Sequence, residues 1–384
     1  MPAGQTRCSI LYPRIAATVA VLVAALASTA VPIPGSQAPA TGGRGAAAAL
    51  SPAAAPIAGA HAAGDRAAAA LRRTAPAFGG AAAVEVRGLP PVAAAAAVAA
   101  ALEEILEIES LAARASRDDQ PTAAGVGALT PGRPARVDPR LARLLDRARS
   151  FCLWSKGAHG PLGGRLYRLW GIGGPSAGAA ARPTPAALAA AIESARCEGL
   201  TIDLASATVT LPEGSAVDLS AFAAGFAADR AADALRAAGA TNGVVETGAV
   251  VRAFGPGPEG AGWPVELPAF PRSEGPIARL LLRDQAVAVA AADARPIVIA
   301  GDRHAGLIDQ RTGHPATGVV ATAAATELAI DAQALATTAF ILGSRETTFL
   351  LGQLRPTPSV LWLLGTGSGR PLVTSHHWSR LATF

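Results

Sequence analysis

Lysine is nearly absent from this 384-residue chain: Lys156 is the only one, and the remaining basic residues are arginines. With the heavy load of Ala, Gly and Pro, that imbalance reflects coding bias rather than chemistry. The net charge of +5 invites a nucleic-acid reading, but the arginines are scattered singly and no five-residue basic run occurs. An electrostatic footprint for nucleic acid is therefore lacking. Aromatic residues are also scarce, at 4%. Half the chain counts as hydrophobic, yet much of that is alanine, which buries little area per residue and overstates the core. Cysteine is limited to Cys8, Cys152 and Cys197, with no CxxC and no Cys/His cluster. That excludes a structural zinc site.

The N-terminus is richer in information. Arg7 and Arg14 precede an uncharged apolar run from Ile15 to Val31, and small residues at Ala27, Ala30 and Ala38 offer cleavage points. This is the layout of an export signal. The run is short for a ~30 Å hydrocarbon core, which favours cleavage, with an uncleaved anchor over residues 15–31 as the alternative. No cysteine follows the run closely enough for a lipoprotein. The expected location is periplasmic or on the outer side of the cell envelope. In the mature chain Cys152 and Cys197 could form one disulfide, but sequence does not place them within bridging distance.

Three regions follow: 1–31 as signal or anchor, 32–77 as a disordered Ala/Gly/Pro-rich tether, and 78–384 as the folded domain. AAAVEVRGL (Ala81 to Leu89) reads as a strand broken by Pro90 and Pro91, and Val92 to Ala115 as a helix. Asp138 and Pro139 give the N-cap and first position of a second helix, and Pro183 to Arg196 a third. Leu200 to Pro212 alternates like a hairpin. Asp218 to Ala240 reads as a long helix with Asp218 as its N-cap, and Asn242 to Gly255 as one glycine-interrupted strand. Strand material recurs to Gly313, the segment Ile330 to Gly343 is a helix, and Ser359 to Gly365 is a late buried strand. Strands and helices alternate without a βαβ repeat, so the expected class is α+β, mixed sheets with flanking helices.

Three segments carry candidate chemistry. DLSAFAAGFAADR, from Asp218, places small residues at Ser220, Ala221, Ala223, Ala224 and Gly225, where a helix N-terminus offers free N–H groups to an anion. The plainer reading is an Ala-rich core helix with an ordinary cap. HAGLIDQRTGHP, from His304, is a strand ending in a tight turn, where Asp309 and Arg311 can satisfy each other. IDAQALATTAFILG, from Ile330, sets Gln333 and Thr337 four apart on one helical face, about 5–6 Å apart at Cβ. A carboxylate and a hydroxyl at that spacing would suit a hard cation, whereas a glutamine is a neutral, weaker ligand. Asp331 lies about 600° of turn from Thr337, on another face. It shares a face with Thr338 but sits about 10 Å away along the axis.

Together these segments resemble the ApbE-type FAD:protein FMN transferases, exported or lipid-anchored enzymes that flavinylate partner proteins. The carrying stretches are DLSAFAAGFAADRA, VVETGAVVRAFG, AGLIDQRTGHP and AQALATTAFILG, in family order, with GAHGPLGGRLYRLWGIGG upstream. The likeness runs from about Phe78 to the C-terminus. It implies a single T-fold-related domain that takes FAD and Mg²⁺, breaks the pyrophosphate and moves FMN onto a Ser or Thr hydroxyl of a partner, leaving AMP. A flavinylated membrane or exported redox protein is the implied partner. The resemblance assigns flavin contacts to Phe78, Ala158, His159, Asp218, Ala224 and Ile308, and metal ligation to the Ala221 carbonyl, Gln333 and Thr337.

Several positions depart from the family pattern. Its metal Asp falls on Gln333, its lysine on Ala224, its base histidine on Gly306, and its Asn and Asp on Glu246 and Val250. Its Pro falls on Gln310, and its polar TSGD segment in the apolar run Val287 to Asp293. His304, two residues before Gly306 and about 6.5 Å away on a strand, is the candidate stand-in base. Loss of a general base costs ~10²–10⁴-fold where one operates. Three readings remain: a transferase with altered metal dependence, an inactive exported flavin-binding or protein-interaction module, and a scaffold without flavin. The side-chain losses weigh toward the second.

Overall fold

A computed structural model describes residues 70–113, 124–172, 182–267, 276–292, 296–299, 302–365 and 372–381. The expected signal and residues 32–69 of the tether lie outside them. Eight strands form the central sheet: β1 (Ala70–Ala77), β2 (Gly80–Arg87), β3 (Asn242–Thr247), β4 (Val250–Phe254), β5 (Ala286–Ala291), β6 (Val319–Thr326), β7 (Ser359–Leu364) and β8 (Leu372–His376). They lie side by side in chain order, every neighbouring pair antiparallel. The helices are inserted between strands: α1 (Pro91–Ala112), α2 (Pro139–Trp154), α3 (Gly164–Leu169), α4 (Pro185–Ser194) and α5 (Ala223–Ala237) between β2 and β3, and α6 (Ala329–Leu351) between β6 and β7. The α+β class holds.

The pleat sends alternate residues to two cores. Val245, Phe254, Ala286, Ala288, Ala290, Ala324, Val360 and Trp362 face the helices. Val244, Val251, Val287, Val289, Ala321, Ala323, Leu361 and Leu363 face the hairpin of Trp263–Leu267 and Ala278–Leu282. Alanines on the helix side of β5 let α6 lie close to the sheet. Its seating is fixed by Thr322 Oγ1, which donates to Ala336 O at 2.7 Å, and by the Trp362 indole, which donates to Ala339 O at 3.0 Å. The alanine content is thus spent on close approach rather than on area.

Most expected elements form, and Asp138 caps α2 by accepting from Arg140 N at 2.7 Å. The 200–212 segment is a hairpin of Thr201–Asp203 and Thr208–Thr210. Other expectations are corrected. Residues 70–77, expected within the tether, form a strand, because ALRRTAPA pairs along all of β2 as an edge strand. Arg72 anchors it, donating to both oxygens of Glu246 on β3 at 3.1 and 3.0 Å. The glycine-interrupted strand is two strands, β3 and β4, turning at Gly248 with φ of 61°. The long helix begins at Ala223, not at Asp218. The last helix runs on to Leu351 past a non-helical Gly343. Cys152 and Cys197, left open by sequence, are joined by a disulfide with a Cα–Cα distance of 6.4 Å.

Candidate functional site

Three structural pieces meet where α5 begins: the loop 155–163, the turn 218–222 and the first half of α6. Asp218 N donates to Pro161 O at 2.8 Å, tying the turn to the loop. The Asp218 carboxylate does not cap α5, whose N-cap is Phe222 with no side-chain bond. Its Oδ1 instead accepts from Ser220 N at 3.0 Å and Ser220 Oγ at 2.6 Å, closing a local turn. A short polar side chain two residues upstream competes for those backbone groups, so helix starts five residues later than the pattern suggests.

The loop 155–163 is held from below. The disulfide packs under Gly160, where a Cβ would stand 2.5 Å from Cys152 Sγ. From the neighbouring turn, Gln310 N donates to Ala158 O at 3.0 Å and Gln310 Nε2 to Gly160 O at 2.9 Å. Ile308 begins that segment, fully buried and paired opposite Pro315. Asp309 and Arg311 satisfy each other, as expected, and Arg311 also donates to Glu346.

His159 is buried, stacked on Phe222 at 4.8 Å, with Nδ1 2.9 Å from Thr338 Oγ1. The Thr338 hydroxyl donates its proton to Ala334 O at 2.8 Å, so Oγ1 accepts and His159 Nδ1 carries the hydrogen. Burial pushes the His159 pKa down to about 4, against the pull of the Asp218 charge. The ring is neutral at physiological pH.

Gln333 reaches across from α6 to the start of α5. Its Oε1 accepts from Gly225 N at 2.7 Å and its Nε2 donates to Ser220 O at 3.1 Å. Gly225 N is a donor and Ser220 O an acceptor, which fixes the amide orientation. Gly225 permits the approach: a Cβ there would lie 2.4 Å from Ala329 O. Thr337 Oγ1 turns back to Gln333 O at 3.1 Å, and Ala224 O accepts from Thr247 Oγ1 at 2.9 Å. Asp331 faces away and pairs with Arg147, its Oδ1 accepting from Nε at 2.7 Å.

The expected metal set does not fit a hard cation. The Ser220 carbonyl, one residue before Ala221, meets an N–H of Gln333, and the Gln333 oxygen is taken by a backbone N–H. No cluster of three or more His, Cys, Asp or Glu capable of holding a metal occurs among the described residues.

The structure thus gathers Ala158, His159, Asp218, Ala221, Ala224, Gln333 and Thr337 around one helix start, with Ile308 in the segment that supports the loop. Phe78 lies in the β1–β2 turn, where its N donates to Glu109 Oε1 at 2.6 Å. His304 lies on the strand Asp302–Ala305, opposite Ile297, and its side chain makes no hydrogen bond or ion pair with the described residues. Gly306 beside it is buried. Sequence reasoning missed Gln310, read only as a lost proline, and Asp229, read only as part of a motif. Asp229 caps α6, accepting from Ala329 N at 2.8 Å and Ile330 N at 3.0 Å. Burial pushes its pKa up to about 6, opposed by those two N–H groups and by Arg252. An Asp four residues beyond a helix-start glycine was the available signal.

A family model described as the ApbE family matches residues 80–361. The chain is 34% identical over 279 residues to the FAD:protein FMN transferase of Treponema pallidum (strain Nichols), covering 67% of this chain and 75% of that protein. It is 29% identical over 216 residues to the Haemophilus influenzae protein of the same name, covering 55% and 62%. Among solved structures it is similar to the ApbE protein of Thermotoga maritima, with a TM-score of 0.70, 24% identity, and 81% and 98% of the two chains covered. The apo Pseudomonas stutzeri flavinyl transferase ApbE gives 0.69 at 21%, covering 82% and 96%. Those two likenesses concern the fold.

Proposed function

The chain belongs to the ApbE family, and from that premise we propose that it is an exported FAD:protein FMN transferase. A Ser or Thr hydroxyl of a partner protein attacks the FMN-side phosphorus of FAD. The new bond is Oγ–P, the bond broken is the pyrophosphate P–O link, and AMP leaves. The hydroxyl proton passes to water or to the departing phosphate. The observation that carries the reading is the meeting of loop 155–163, turn 218–222 and α6 at one helix start. The small side chains of Ser220, Ala221, Ala223 and Ala224 leave room for a diphosphate to come close to that helix start, whose dipole favours negative charge. Phosphoryl transfer rests mainly on positioning and electrostatics, which this frame supplies without a dedicated base.

Export is supported by the leader-like N-terminus and by the disulfide, which suits an oxidising compartment. The partner is an exported or membrane redox protein. A second reading, flavin binding without transfer, draws on Gly306, which offers no side chain where the family has its base, and on the isolation of His304. The reading is tested by chromatography of FAD incubated with the protein and a Thr-containing acceptor peptide. AMP released only when the acceptor is present supports transfer; FAD recovered intact refutes it.

A further inference from the structure

We propose that the Gln333 side-chain amide is a built-in substitute for a divalent cation, so that this chain engages FAD without Mg²⁺. The inference rests on the flavin-site reading above and concerns the same helix start. A cation there would draw in a backbone carbonyl of the turn and a side-chain oxygen from α6. Gln333 makes a comparable bridge with hydrogen bonds, to the carbonyl one residue before Ala221: Nε2–H to Ser220 O at 3.1 Å, and Oε1 from Gly225 N–H at 2.7 Å.

Admitting an ion requires turning the amide over, which sets Nε2–H against the Gly225 N–H. Gly225 is buried, with the α6 backbone directly above it, and Gln333 Oε1 is the acceptor of its N–H. A buried donor without a partner is disfavoured. The remaining contributors are weakly suited as well. Thr337 Oγ1 is neutral and donates along its own helix, and Asp218 Oδ1 is closed on Ser220. The amide therefore holds the turn against the start of α5, the tie an ion would otherwise supply.

The substitution Gln333→Glu separates the alternatives, because it keeps length and shape. One carboxylate oxygen can still accept from Gly225 N–H, while the other faces Ser220 O, an arrangement that calls for a cation. FAD is titrated against tryptophan fluorescence of the full chain in EDTA and in millimolar Mg²⁺, and melting is followed with Mg²⁺ alone. The wild type is expected to give the same FAD affinity in both buffers and no melting shift with Mg²⁺. Gln333→Glu should bind FAD at least about tenfold more tightly with Mg²⁺ than in EDTA and melt higher when Mg²⁺ is added. A wild-type affinity that rises about tenfold with Mg²⁺, or a wild-type melting temperature raised by Mg²⁺ alone, overturns the proposal. Should FAD fail to bind in either buffer, the flavin reading falls and with it the claim of Mg²⁺-free FAD binding, while the Mg²⁺-only melting comparison of wild type with Gln333→Glu still decides whether the amide replaces a cation.

Discussion

Asp229 on α5 receives the N–H of Ala329 at 2.8 Å, so the helix that carries Gln333 is capped by the helix that Gln333 clamps. The two helices hold each other's starts, and Gly225 lets them do so at backbone contact. Losing one clasp therefore loosens the other. Asp229→Asn keeps the size but sets an amide N–H toward one of the two capped donors. It also removes the charge beside Arg252, whose Nε lies 3.3 Å from Asp229 Oδ1. Because burial already opposes the carboxylate charge, the expected loss comes mainly from the two capped N–H groups, about 1–2 kcal/mol in chemical denaturation.

His159 gives the acid side of stability a specific origin. Its neutral form is favoured by the fold, with the pKa held at about 4 rather than 6.5. The stabilising contribution is complete above 6.5 and disappears as pH falls through about 4. Its size is about 3 kcal/mol at ~1.4 kcal/mol per pKa unit. Asp229, raised to about 6, runs in the opposite sense, contributing below 3.8 and losing that contribution as pH rises through 6. The wild-type profile alone thus hides both. The stability of the wild type relative to His159→Asn isolates the histidine, and should be greatest at pH 7 and smaller by about 3 kcal/mol at pH 4.

Arg72 tests where the domain begins. It is the tie between edge strand β1 and the nearly buried Glu246 on β3. Arg72→Ala should cost about 1–2 kcal/mol, the lower end reflecting its partial exposure, whereas the neighbouring exposed Arg73→Ala should stay within about 0.5 kcal/mol. Equal effects in a denaturant series would remove β1 from the fold's stability.

The disulfide closes a loop over a sequence separation of 45 and lies under Gly160 of the site loop. Reduction should lower stability by about 3 kcal/mol and weaken FAD binding together, because the loop loses its floor. Unchanged FAD quenching after full reduction, checked by thiol titration, would detach the loop from the flavin site.

Much of this was readable in the sequence. The order of the motifs marked the segments that gather at the α5 start, and the i,i+4 spacing of Gln333 and Thr337 put both on the right face of α6. What was not readable depended on partners far along the chain. Asp218 looked like a helix cap, because nothing local shows that Ser220 closes its carboxylate into a turn. The tether was carried through 77, because ALRRTAPA has no strand pattern; only its pairing along β2 and the Arg72–Glu246 contact make it one. Gln333 read as a missing charge. Its role in bridging Gly225 and Ser220, 108 and 113 positions away, needed the fold.

Covalent flavin on the acceptor is the most direct test of the central claim. The purified chain is incubated with FAD and an acceptor protein carrying the family's Thr-containing target motif, then resolved by denaturing gel and read by in-gel flavin fluorescence. The transferase account predicts a fluorescent acceptor band that is lost when the target Thr is replaced by Ala, and that forms in EDTA as it does in Mg²⁺. An acceptor that stays dark in both buffers, while FAD still quenches tryptophan fluorescence, would contradict it and leave a flavin-binding protein without transfer.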